Sequence, residues 1–216
     1  MRFELALEVE IRGRRHGPTA YVESGHDESD ERGRGNSSPY DRRIYAFTFA
    51  RPDDLPAVHA LIESAYRGET SRAGWTTEAD LVRGPRTSVD ELAELVASPD
   101  NEFLLARDPA GALVACCHLQ KRADSAYFGM FAVDPTRQGG GVGDAMLAEA
   151  ERIVRDEWHR PQLTMWVIGV RGELIAWYER RGYKRTGEAV DFSYDADAPA
   201  GPIEPGLEFL VLAKEL

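Results

Sequence analysis

The feature that most constrains this chain is an apolar run that leads through a proline turn and a glycine cluster into a helix. It reads Ala126-Tyr127-Phe128-Gly129-Met130-Phe131-Ala132-Val133-Asp134-Pro135-Thr136-Arg137-Gln138-Gly139-Gly140-Gly141-Val142-Gly143-Asp144. Glycines let consecutive backbone N–H groups converge with no Cβ in the way. The start of the following helix adds roughly half a positive charge. Together they make an anion site suited to phosphates. Two nucleotide motifs are excluded. A P-loop needs Lys and Ser/Thr after its last glycine, where Asp144 and Ala145 stand. The dinucleotide fingerprint needs a third glycine at a position that Asp144 or Met146 occupies, depending on the starting glycine.

The elements around this turn follow from periodicity and punctuation. Tyr45–Ala50 has strand composition, and Arg51-Pro52-Asp53-Asp54 is a turn ending in a helix N-cap. Leu55, Val58, Leu61, Ile62 and Ala65 keep helical spacing. The acidic stretch Thr76-Thr77-Glu78-Ala79-Asp80 predicts another helix start. Ser88 with Glu91 forms a capping box for a helix reaching Ala97. Strands are expected at Glu102–Arg107, Ala112–Gln120 and Ala126–Val133, the first two joined by Asp108-Pro109-Ala110-Gly111. A long helix after the glycines, a strand at Leu163–Ile168, a helix at Gly172–Arg180 and strands from Tyr183 and Glu208 complete the order. Antiparallel hairpins beside one crossover predict an α/β fold of the α+β type, a mixed sheet with helices on both faces.

Residues 1–43 read differently. Phe3, Leu5, Leu7, Val9 and Ile11 alternate with polar positions and suggest a strand. Residues 12–43 then turn to Gly, Ser, Asp, Glu and Arg, the composition of a linker. The compact domain is expected over 44–216.

The Gln/Arg-x-x-Gly-x-Gly/Ala pattern after a Val-x-Pro turn, here Val133, Pro135, Gln138, Gly141 and Gly143, resembles the signature of the GNAT superfamily of acyl-CoA N-acyltransferases. A second segment, Leu174-Ile175-Ala176-Trp177-Tyr178-Glu179-Arg180-Arg181-Gly182-Tyr183, resembles the family's later helix with its Tyr-x-x-x-Gly-Phe/Tyr ending. Gly182 also reads independently as the residue that ends that helix. The resemblance covers roughly residues 45–190. It implies a sheet splayed between the family's fourth and fifth strands, with acetyl-CoA as co-substrate. By the same resemblance, the main chain of Phe131, Ala132 and Val133 would meet pantetheine and polarise the thioester. The amides of Gln138, Gly139, Gly140, Gly141, Val142, Gly143 and Asp144 would hold the pyrophosphate. Tyr178 would protonate the departing thiolate, a transfer that suits a phenol of pKa about 10.

The chain departs from the family pattern twice. Arg171 stands where many relatives carry Asn, and could meet a CoA phosphate or bond differently. Tyr127-Phe128 stands where many carry a Glu that acts as base. His118, Glu78 and a water chain are then the candidate bases; a lone strand His is also a common structural residue. The stretch from Tyr66 through Trp75 to Glu78 is rich in aromatic and polar groups, as an acceptor wall would be. The expected activity is acetyl transfer to a primary amine of a small molecule. A non-catalytic acyl-CoA sensor and a protein N-acetyltransferase remain as alternatives.

Composition narrows the partners. The net charge of −11 disfavours nucleic acid and suits a cationic acceptor, although this charge is ordinary. No apolar run spans a membrane, and Met1-Arg2-Phe3-Glu4-Leu5 lacks a signal core, so a cytoplasmic protein is expected. The adjacent Cys116 and Cys117 offer neither a disulfide framework nor metal spacing, so no metal is expected. An exposed sheet edge would suit a homodimer.

Overall fold

The computed structural model describes residues 45–192 and 201–216. The strand expected at residues 3–11 and the linker expected at 12–43 lie outside the described residues.

Seven strands form the main sheet: β1 (Ala46–Phe49), β3 (Asn101–Arg107), β4 (Leu113–Lys121), β5 (Ala126–Val133), β6 (Gln162–Ile168), β7 (Lys184–Asp191) and β9 (Glu208–Glu215). Their order is β1-β3-β4-β5-β6-β9-β7, with β5 and β6 parallel and the other neighbours antiparallel. A short ribbon pairs β2 (Val82–Arg83) with β8 (Gly201–Pro202). The helices are α1 (Leu55–Tyr66), the single turn α2 (Gly68–Ser71), α3 (Val89–Val96), α4 (Val142–Arg152) and α5 (Gly172–Glu179). A π-helical turn, Ile153–Glu157, continues α4. Among the described residues, no helix is long and apolar enough to cross a membrane.

Strand alternation sorts the core onto two faces. Leu104, Ala106, Cys117, Leu119 and Phe128 pack with Met146, Leu147 and Ala150 of α4 and Ile175 and Tyr178 of α5. Phe103, Leu105 and Cys116 pack with Leu55, Val58 and Ile62 of α1 and Leu92 of α3. Cys116 and Cys117 therefore fill opposite layers. Burial pushes the Cys116 thiol up to about 12 and raises Cys117 as well, so both act as small apolar fillers.

Two local expectations are corrected. Thr76–Asp80 starts no helix: it forms an irregular stretch and a turn, in which Leu81 and Val82 N–H donate to the Glu78 carbonyl. The Glu78 side chain is drawn into a buried ion cluster instead of facing a helix dipole. Asp54 does not cap α1 with its side chain. Its carboxylate reaches back to accept Arg51 N–H at 2.9 Å and pairs with Arg107 at 2.6 Å. The Ser88–Glu91 capping box forms as expected.

Candidate active site

The sheet opens where the glycine turn begins. β5 pairs with β6 only at Ala126–Leu163 and Tyr127–Thr164, although β5 runs on to Val133 and β6 to Ile168. A bulge re-aims the freed half of β5. Between Cys116 and His118 of β4, whose partners are Ala132 and Gly129, β5 carries one extra residue. Met130 takes the left-handed φ of 42° there. Phe128 and Phe131 consequently face the same layer, with ring centroids 5.2 Å apart. A left-handed non-glycine residue costs about 1–2 kcal/mol. Full burial of a Phe or Met side chain contributes about 1.5–3 kcal/mol, so the buried Phe128 and Met130 outweigh the bulge.

The parting of β5 and β6 leaves a cleft of about 640 Å³. Phe131 and Val133 line it from β5, and Tyr66, Trp75 and Thr76 line it from the α1 side. Their carbonyls are already engaged. Tyr66 donates its hydroxyl to Phe131 O at 3.0 Å, and Gln138 Nε2 donates to Val133 O at 3.4 Å. A carbonyl oxygen has two lone pairs, so each retains room for a second donor. Gln138 Oε1 also accepts Trp75 N–H at 2.9 Å, which ties the glycine turn to the opposite wall. Glycine at 74 leaves room for that approach: a Cβ there would stand 2.7 Å from Gln138 Oε1 and make the amide tip shift.

The glycine turn closes one end of the cleft. Gly139 and Gly141 adopt φ near +80°, and Gly141 is the N-cap of α4. The first bond of α4 runs from Ala145 N to Gly141 O, so the N–H groups of Val142, Gly143 and Asp144 have no intrahelical acceptor. Gly139, Gly141, Gly143 and Asp144 line the cleft. The Asp144 carboxylate would repel an anion, but Arg181 Nε donates to it at 2.6 Å. The Arg181 guanidinium also lies 3.5 Å over the Trp177 ring. Neutralised in this way, the helix start keeps its attraction for anions.

Tyr178 forms the inner wall. It is buried, edge-on to Trp177 and to Tyr183, with its ring on the cleft. Burial raises its pKa well above the ordinary phenol value, reinforced by Tyr66 and opposed by Arg171. Burial and then the Glu78 charge push Tyr66 up to about 12. Both phenols hold their protons at neutral pH.

Beside them lies a buried charge cluster. Glu78 accepts Arg171 Nη1 at 2.5 Å on one oxygen and Arg67 Nη1 at 3.0 Å on the other. Burial would raise this carboxyl, but the guanidinium groups of Arg171, Arg86 and Arg67 hold it below the usual carboxylate range. Arg67 also donates to Gly84 O and Tyr66 O. Arg171 Nη2 donates to Thr76 Oγ1. Arg171 Nε is buried and, among the described residues, has no acceptor, a state that costs about 1–3 kcal/mol.

Residues 99–185 match the family of the acetyltransferase (GNAT) domain. The chain carries a GNAT domain. It is 35% identical over 95 residues to a mycothiol acetyltransferase of Salinispora tropica, an overlap of 42% of this chain and 31% of that protein. It is 33% identical over 154 residues to a mycothiol acetyltransferase of Salinispora arenicola, 69% of this chain and 47% of that protein. The chain thus spans less than half the length of these two relatives. A ribosomal-protein-alanine N-acetyltransferase structure from Escherichia coli superposes with a TM-score of 0.58 at 18% identity, covering 80% of this chain and 94% of that one. At that identity the likeness speaks for the fold.

Within this GNAT domain the cleft gathers Tyr66, Trp75, Phe131, Gln138 and Tyr178 on its walls, but not every residue expected from the sequence. Ala132, Gly140 and Val142 are not on its walls, although the turn holds the last two beside it. Glu78 sits behind the wall, clamped by arginines, which makes it a weak base. His118 is buried in the sheet on the α1 face, bonded to Asn101 Oδ1 at 2.8 Å and stacked on Phe103. Arg67 and Thr76 fall in the stretch expected as an acceptor wall, without the partners they take here, and Arg181 was not expected at the site. The contacts that bring them there run between distant segments, and no local pattern announces them. Arg171, read as a departure from the family pattern that could meet a CoA phosphate or bond differently, was the one signal.

Proposed function

We propose that this GNAT domain is an N-acetyltransferase that takes acetyl-CoA in the cleft between β5 and β6 and acetylates a primary amine of a small molecule by direct attack. The observation that carries this reading is the parting of β5 from β6 after two residue pairs, next to the amides at the start of α4 that have no intrahelical acceptor. An extended pantetheine arm suits the first, because it can pair with the strand groups of β5 that β6 leaves uncovered. A pyrophosphate suits the second. Bound there, acetyl-CoA supplies an activated acyl thioester.

The chain's own residues then do the rest. Main-chain N–H groups at the Met130 bulge are suited to polarise a carbonyl, an effect typically of a few kcal/mol. Tyr178 holds a proton on the cleft wall for a leaving sulfur. Its raised pKa keeps it protonated at working pH and makes it a weaker acid than an exposed phenol. With Glu78 clamped and His118 in the sheet, the attacking amine loses its proton to solvent. Two relatives named mycothiol acetyltransferase support acetyl transfer as the reaction class. The test is thiol release from acetyl-CoA across amino acids, polyamines, aminoglycosides and peptides. Amine-dependent release supports the proposal; acetyl-CoA binding with no release on any amine would make the protein a sensor.

A further inference from the structure

We infer that the acceptor is a small aminocarboxylate, its carboxylate received by Arg171 at the inner wall of the cleft. This rests on the acetyl-transfer reading of the same site.

The inference comes from how charge is arranged on that wall. Arg171 precedes α5 and lines the cleft with Tyr66, Thr76 and Tyr178. Its guanidinium is fixed at Nη1 by Glu78 and at Nη2 by Thr76. The Nε–H is left over, buried and without an acceptor among the described residues. Within the Arg67–Glu78–Arg171 cluster two guanidinium groups share one carboxylate, so one positive charge is in excess. Arg86 adds its field from above the Tyr66 ring, 5.5 Å from the centroid. The other carboxylates on the cleft wall are Asp144, tied to Arg181, and Glu173, exposed in the first turn of α5.

A fixed, planar, partly unsatisfied guanidinium beside two protonated phenols is a carboxylate receptor. Tyr66 commits its one O–H to Phe131 O, and neither phenol competes as an anion at neutral pH. A polyamine, cationic along its length, would bring like charge against Arg171. The acidic surface of the chain attracts amines, but this inner wall selects among them.

The test pairs each probe with its uncharged counterpart. Full-length protein with CoA bound is titrated calorimetrically with the L-amino acids, β-alanine and 4-aminobutyrate, with the matching carboxamides, and with spermidine. Thiol release from acetyl-CoA is measured on the same set. The expected result is at least one acid that binds tenfold or more tightly than its amide, with spermidine behind both. Arg171→Gln should bring that ratio close to one, while Arg171→Lys should keep part of it. If Arg171→Gln does not fold, as a thermal melt will show, the wild-type ratio and Arg171→Lys decide. Carboxylate-dependent binding without thiol release would keep this inference and sink acetyl transfer. Thiol release with amides or spermidine at least as good as the acids would keep acetyl transfer and overturn this inference. Absence of binding by every acid would also overturn it.

Discussion

At the scale of single residues, the site depends on a few side chains whose burial sets their chemistry. Tyr178 is buried on the cleft wall with its pKa raised, so it keeps its proton at neutral pH. Tyr178→Phe keeps the ring packing against Trp177 and Tyr183 and removes the proton. The expected loss in kcat is roughly 10²–10⁴-fold with little change in melting temperature, read by thiol release and a thermal melt. Glu78 shows the opposite balance. Removing one partner from a buried ion cluster leaves charge uncompensated, so Glu78→Gln should cost about 3–5 kcal/mol in urea denaturation. Its folded pKa is depressed, so its contribution is present above the unfolded value of about 4.3 and fades as pH falls through the lower folded value. Wild type and Glu78→Gln should therefore converge in stability below that range and diverge at neutral pH. A stability gap that stays constant down to pH 3 would contradict this account.

At the scale of elements, the strand-turn-helix unit is the functional piece. Gly141 caps α4 at φ 80°, where a Cβ costs about 1–2 kcal/mol. Gly141→Ala should destabilise the chain by that amount and weaken acetyl-CoA binding in calorimetry, because the turn must shift to relieve the strain. Most of this unit was legible: the glycines, the proline turn and the apolar strand are local signals, and the Tyr178 helix carried its own ending at Gly182. The bulge was not. Strict alternation would have grouped Phe128 with Met130, and only pairing with β4 shows the extra residue that sets Phe128 beside Phe131. The stretch Thr76–Asp80 misled for a related reason. Acidic residues mark helix starts, but Glu78 is held by Arg171, 93 residues away in sequence. Contacts at that separation leave no trace in local periodicity. Arg171 stood out in sequence only as a break with the family pattern, and its place beside Tyr66 and Tyr178 emerged from the fold.

At the scale of the whole molecule, an acidic chain with a net charge of −11 carries a cleft whose inner wall holds Arg171 and is backed by the Glu78–Arg67 pair. Residues from α1, β5, α4 and α5 meet there, so a ligand that spans the cleft should stabilise the whole sheet. Acetyl-CoA at a hundred times its Kd should add about 2.7 kcal/mol to stability, visible as a rise in melting temperature that Gly141→Ala reduces. An unchanged melting temperature at millimolar acetyl-CoA would mean that the cleft does not take it. The most direct measurement of the central claim is amine-dependent thiol release from acetyl-CoA by the wild type beside Tyr178→Phe. The predicted result is release that requires an amine and falls at least a hundredfold in the variant. Equal release by the two proteins would remove Tyr178 from the chemistry, and no release with any amine would contradict acetyl transfer itself.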